Sequence, residues 1–272
     1  MSISTIIRFH QKGNQRLLKR ALWSLYSQNY EDVDPIVVVQ NFPEELFKQV
    51  ERLCMECCLF KHSNTPKVIN VRTQRDDARS ELMNYGIQYH FQLGNQYLAF
   101  LDYDDLLFRH AYDLLSDTLN KTSAAIAFAS VDVANVVSFR DYEFIYSLEN
   151  PFKGKDKIDL IRENFCPLHS YLIDTTRIDK ELLRFNPDLI RAEDYDFLLR
   201  VAGFHPCDFS NIGKKIGLYF WRNDETNSTP SQFCTNQESA KKKIWLENQN
   251  RLESLRTQYE IKFFASDFRP RG

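Results

Sequence analysis

The 272-residue sequence holds no long hydrophobic run. Its most apolar stretch, residues 124–137, is interrupted by Asp132 and Asn135 and falls short of the roughly 18 apolar residues of a membrane-spanning helix. Neither sign of charge is in excess: 35 Lys and Arg face 37 Asp and Glu, for a formal net charge of -2. That balance argues against nucleic acid as a partner, because no strongly basic surface is present to release counterions. Only 8 Gly and 9 Pro occur, which excludes collagen-like and low-complexity architectures. The first residues lack the layout of an export signal, since Ile6-Ile7 is followed at once by Arg8. A cytoplasmic location is the expectation.

Apolar residues make up 43% of the chain and aromatics 14%, enough to fill a sizeable core. Six cysteines occur, at 54, 57, 58, 166, 207 and 234. Reduced thiols fit a chain without an export signal. Cys54-x-x-Cys57 has a metal-like spacing, but no second pair follows it, and its segment also reads as an amphipathic helix with buried cysteines.

Along the first half, short apolar runs alternate with helical periodicity. Strands are expected at 4–9, 35–39, 68–71, 96–101 and 124–131. Helices are expected after the Asn14 cap, from about Pro43, from Asp76 or Asp77 to about Leu93, and over 108–119. This alternation predicts an α/β fold with a mostly parallel central sheet flanked by helices, and ligands beyond the carboxyl ends of its strands. The second half is less regular: an aromatic ribbon over 139–148, a helix over 157–164, a strand over 170–173 with a helix after it, a helix over 195–202, a strand over 216–221 and a long polar helix from about 232 to 261.

The most informative stretch is Tyr97-Leu98-Ala99-Phe100-Leu101-Asp102-Tyr103-Asp104-Asp105, an apolar strand ending in three carboxylates. A buried strand cannot carry them in its interior, so they emerge at its end. Asp102 and Asp104 point to one side of an extended chain and form a hard-oxygen site suited to Mg²⁺ or Mn²⁺. A polar turn with Asp105 capping the next helix explains the same residues.

Upstream, Arg79-Ser80-Glu81-Leu82-Met83-Asn84-Tyr85-Gly86 stands on the helix before this strand; downstream, Arg191-Ala192-Glu193-Asp194-Tyr195-Asp196 opens another helix. The ordered set over about residues 3–230 resembles the family 2 glycosyltransferases of GT-A fold, of the bacterial surface-polysaccharide type. The resemblance implies a nucleotide-sugar-binding half over 1–131, an acceptor-binding half over 132–230 and a C-terminal helical extension over 231–272. It implies a metal-dependent inverting enzyme with a nucleotide-sugar donor, UDP-linked by default, and a glycan or lipid-linked saccharide as acceptor. Asp104 is then the first metal ligand, with Asp102 and Asp105 beside it, and Asp102 also contacts the donor. Asp194 matches the catalytic base and Glu193 its support; complementing the dipole of the helix they open is the plainer role for both. Arg79 matches a donor-side cation, against a surface ion pair as its plainer role.

Further donor contacts implied by the resemblance are Arg8 and His10 after the first strand, Asp76, and Arg222, whose planar fork suits phosphate. Arg222 belongs to a segment continuing through Asn227-Ser228-Thr229 that resembles one closing over the diphosphate. Gln40 stands where the family usually has an Asp that binds the base; an amide both donates and accepts. His169 and Trp221 fall on the acceptor side, although Trp221 equally suits a core position. The C-terminal helix, with Lys241-Lys242-Lys243, packs on the domain, pairs with a second copy or touches an anionic membrane surface. Two other functions remain open. An apolar strand followed by D-x-D also resembles HAD-type phosphohydrolases, which usually open with that motif. Gln40 in place of an acid also suits a degenerate, non-catalytic scaffold.

Overall fold

The computed structural model describes residues 1–10, 13–58, 66–222 and 236–268. The first half runs β1 (Ile3–Phe9), α1 (Gln15–Tyr26), β2 (Val33–Gln40), α2 (Glu44–Cys58), β3 (Lys67–Val71), α3 (Arg79–Leu93) and β4 (Tyr97–Phe100). It continues with β5 (Leu106–Leu107), α4 (Ala111–Lys121), β6 (Ile126–Ser138), β7 (Glu143–Glu149), α5 (Lys157–Arg162), β8 (Tyr171–Asp174), α6 (Glu193–Phe204), β9 (Cys207–Arg222) and α7 (Asn236–Arg256). The strands form one sheet in the order β3-β2-β1-β4-β8-β6-β9-β5, with β7 on β6. β3, β2, β1 and β4 are parallel neighbours, β8 is inserted antiparallel, and β6 and β9 are again parallel. The α/β architecture with helices on both faces is therefore as expected.

Local chemistry explains these elements. β1, β2 and β4 are almost continuously buried because both faces of a central parallel strand are covered. Pro35 lies before the pairing of β2 with β3 begins at Ile36 and Lys67, so its missing N–H falls where β2 is still an edge on that side. Asn14 caps α1 by accepting from the Arg16 N–H. One core packs α1, α2 and α4 on one face of the sheet; a second packs α3, α6 and Leu252 of α7 on the other. The helix expected after residue 173 is instead two short 3-10 turns, Thr175–Arg177 and Lys180–Leu182. There the side chains of Asp174 and Asp179 each cap a tight turn and compete with a longer helix.

The motif Arg79…Asn84…Gly86 has a packing role at each position. Asn84 clamps Phe185, donating to its carbonyl and accepting from its N–H, and so fixes the loop leading to α6. At Gly86 a Cβ would lie 2.6 Å from Ile6 Cγ2, so only glycine lets α3 approach β1 this closely. Gly86→Ala is expected to lower the melting temperature. Overpacking costs about 1–3 kcal/mol, against about 1 kcal/mol regained in helix propensity. An unchanged melting curve would show that Ile6 yields.

The C-terminal helix is held by side chains. Asn248 accepts from the N–H groups of Ile190 and Arg191, just before α6. Beyond it, the buried Lys157 ammonium pairs with Asp267 at 2.8 Å. The described cysteines are buried and free; Cys234 and Asn227-Ser228-Thr229 lie outside the described residues. Among the described residues no helix is long and apolar enough to cross a membrane.

Candidate functional site

The carboxyl ends of β1, β2 and β4 open into a cleft of about 320 Å³, where ligands bind in parallel sheets of this kind. Arg8, His10, Gln40, Asp76, Arg79, Asp102, Asp104 and Asp105, all singled out from the sequence, line it together with Asp77, Tyr103, Tyr219 and Phe220. Phe100, the last residue of β4, packs edge-on against Phe197 of α6, and Phe197 stacks on Phe185 at 4.3 Å. This aromatic wedge brings the start of α6, with Glu193 and Asp194, to the end of β4.

A chain of ion pairs joins the two ends. Arg8 holds Asp102 at 3.2 Å and Glu193 at 2.7 Å. Arg79 holds Asp77 at 2.9 Å and lies 3.7 Å from Glu193, and Arg191 also pairs with Asp77. On the other side Arg222 holds Asp104 at 2.6 Å and Glu143 at 2.7 Å, and Glu143 also pairs with Arg20. Burial alone would lower the Arg8 guanidinium, but Asp102 and Glu193 raise it above its ordinary value. Burial would raise Asp77 and Glu143, yet their arginine partners hold both below the usual carboxylate range.

Five carboxylates thus meet five guanidinium groups, while Asp76, Asp105 and Asp194 have no arginine ion pair among the described residues. Asp105 accepts from the Phe220 N–H at 2.8 Å; burial, then Asp104 and Asp102, push its carboxyl well above the usual range. Asp104 is raised by burial and by Asp102, against the opposing charge of Arg222. Asp194 is half-buried, accepts from the Tyr195 N–H and is pushed up to about 6 by burial and by the neighbouring Glu193. Ala192 before the pair is in the left-handed region, φ 59°, and Asn41 beyond β2 is at φ 52°. Among the described residues these are the two non-glycine positions with positive φ, and both flank the site, where such strain concentrates.

The acidic cluster fits a divalent cation in its charge. Asp102, Asp104 and Asp105 crowd one strand exit, and the mutual repulsion that helps burial raise Asp104 and Asp105 is what a divalent cation would relieve. No three metal-ligating side chains among the described residues converge to hold an ion unaided. A site of one or two carboxylates completed by substrate oxygens is the Mg²⁺ habit.

Other expected residues are placed differently. His169 is 2% exposed, with Nδ1 3.5 Å from Asp105 Oδ2, so it lies behind the acidic cluster rather than on an acceptor face. Burial lowers its pKa to about 4, which leaves the ring neutral at pH 7. Trp221 is half-buried on β9 opposite Asn135 of β6 and does not line the cleft. Arg222 touches the site through Asp104. Gln40 donates its amide N–H groups to the carbonyls of Arg75 at 2.6 Å and Asp76 at 3.3 Å, which turns its side-chain oxygen to other partners. Sequence reasoning missed Arg20 and Glu143: one is a polar position on an amphipathic helix, the other one of several acids along an aromatic ribbon.

No known family profile and no curated protein sequence matches the chain. Solved structures do. The chain superposes on residues 1–349 of S. aureus TarS in complex with UDP-GlcNAc, with TM-score 0.57 and 15% identity, over 93% of this chain and 73% of that one. The TarS complex with UDP gives TM-score 0.54 at 14% identity, over 93% and 72%. The mannosyltransferase PcManGT of Pyrobaculum calidifontis, in complex with GDP-Man and Mn²⁺, gives TM-score 0.51 at 13% identity, over 80% and 56%. The chain has the fold of these glycosyltransferases. At such identities the likeness concerns architecture, and the chemistry rests on the site.

Proposed function

We propose that the chain is an inverting, metal-dependent glycosyltransferase of the GT-A family 2 type. It moves a sugar from a nucleoside diphosphate, uridine by default, to a hydroxyl of a glycan or lipid-linked saccharide in bacterial surface-polysaccharide assembly. The observation that carries this reading is the place of Asp194, which has no ion pair among the described residues and stands next to Glu193, whose carboxylate Arg8 ties to Asp102 at the end of β4; its carboxyl is raised to about 6. Nucleotide-sugar complexes of the structural neighbours support the donor class.

In this reading Asp194 accepts the proton of the acceptor hydroxyl as its oxygen bonds to the anomeric carbon. The bond from that carbon to the diphosphate oxygen breaks, and the electron pair leaves with the diphosphate. Glu193, locked between Arg8 and Arg79, raises the basicity of Asp194 and holds the helix that bears it. Gln40 presents its carbonyl oxygen to an N–H of the base, in place of the more usual acid. Asp104, with Asp102 beside it, would hold Mn²⁺ or Mg²⁺, which when bound neutralises the departing diphosphate. Arg222, paired with Asp104 and Glu143, would supply a second cation for the phosphates.

Thermal shift with nucleoside diphosphates tests the donor half. With Mn²⁺ and UDP at about a hundred times its dissociation constant, the melting temperature should rise by about 5–10 °C. Omission of metal, or Asp104→Asn, should remove the rise while the unliganded fold survives. Normal turnover by Asp104→Asn would defeat the metal assignment. Nucleotide binding with no transfer to any acceptor would instead favour a scaffold.

A further inference from the structure

We infer that the C-terminal helix completes the site: Asn248 of α7 is a positioning residue that sets the turn before α6 and so aims the Glu193–Asp194 pair. The inference rests on the role proposed above for Asp194. α6 opens on that pair without a side-chain cap of its own, and the residue before it, Ala192, is at φ 59° and ψ 20°. Left-handed backbone is disfavoured for alanine, so this turn persists only where its surroundings impose it. The two peptide units just before Ala192 are held from α7. Asn248, 7% exposed, accepts at Oδ1 from the N–H of Ile190 at 3.1 Å and from that of Arg191 at 3.3 Å. Two consecutive N–H groups directed at one oxygen define how the chain enters the turn.

The approach to α6 is gripped from two sides. α3 supplies Asn84, on Phe185, and Ser80, which donates to the Leu189 carbonyl at 3.2 Å. α7 supplies Asn248 and also Arg251, which donates to the Asp188 carbonyl at 3.1 Å. Beyond the acidic pair, Tyr259 just past the end of α7 bonds Asp196, a fully buried carboxylate that also accepts from Arg200 at 2.9 Å. Between these anchors Leu252 is fully buried in the core that holds Tyr195, Phe197 and Leu198. The C-terminal segment thus brackets Glu193 and Asp194, from residue 190 on one side to residue 196 on the other. Packing the helix needs only Leu252; a buried amide committed to two N–H groups specifies a backbone geometry. Asn248, Leu252 and Tyr259 do not line the cleft, so they act on the reaction only through α6.

The test is steady-state kinetics of Asn248→Ala in two backgrounds, the wild type and Asp194→Asn, at a temperature where circular dichroism shows every variant folded. Because a small misplacement of a reacting group is costly, Asn248→Ala alone should lose about 10–10²-fold in kcat with donor KM unchanged. In the Asp194→Asn background it should lower the residual rate no further, since the group it aims is already gone. Wild-type kcat in Asn248→Ala overturns the inference, and so does an equal loss in both backgrounds, the mark of a merely structural role. Should Asn248→Ala fail to fold, Asn248→Ser, whose shorter side chain cannot reach both amides, takes its place in the same cycle. Hydrogen exchange reads the clamp without turnover. The amides of Ile190 and Arg191 should be protected in the wild type and exchange faster in the variant; unprotected amides at both positions in the wild type overturn the clamp. A wild type that transfers sugar to no acceptor is the failure of the functional reading instead, and exchange at these two amides then decides the clamp.

Discussion

An Asp194→Asn enzyme is expected to bind nucleotide as the wild type does and to lose about 10²–10⁴-fold in transfer rate, the usual worth of a positioned general base. The wild-type rate should rise with pH through about 6, because the raised carboxyl must be ionised to accept a proton. That limb should vanish in the variant. Stability gives an independent reading with a defined sign. A carboxyl raised on folding favours the folded state at low pH, and this contribution is lost as pH climbs through about 6. Asp194→Asn removes the desolvated charge, so it should melt higher than the wild type at pH 8 and match it near pH 4. An inactive variant that is also less stable at pH 8 would mean that Asp194 is structural. Equal loss of donor binding would mean the same.

The ordinary parts of this molecule were legible because they obey local rules. Short apolar runs marked β1, β2 and β4, and helical spacing marked α1 and α4. The carboxylates after Phe100 could only be a strand exit, and the cleft is there. What stayed hidden is non-local. Nothing near Glu143 announces that it pairs with Arg20 and Arg222 from two other elements. Periodicity assigns Arg20 to a solvated helix face, yet it bonds the Asp104 carbonyl and stacks over Phe220 at 3.7 Å. Gln40 looked like a lost acid, but its use as a strut for the Arg75–Asp76 turn depends on a loop 35 residues away. The motif Arg79…Asn84…Gly86 was visible as a pattern, while its division into an ion pair, a loop clamp and a close approach needed coordinates.

The acidic pair on α6 offers the second large effect, and here the two carboxylates part company. Glu193→Ala is expected to destabilise the protein by about 3 kcal/mol, since removing one member of a buried ion pair leaves the other charges uncompensated. For a chain of this size that corresponds to a melting temperature about 6–12 °C lower. The figure sits at the lower end of the range because each arginine keeps a second partner, Asp102 for Arg8 and Asp77 for Arg79. Glu193→Gln keeps the volume and an acceptor oxygen toward Arg8, so its loss should be smaller. Either change also removes the negative charge that helps burial raise Asp194. The pH limb of any remaining activity should therefore shift below 6, an effect that mere unfolding does not produce. If Glu193 only complemented the dipole of α6, its removal would cost about 0.3–1 kcal/mol and leave that limb in place. A Glu193→Ala protein that melts within a degree or two of the wild type would restore that simpler role and break the proposed link between the arginine network and the base.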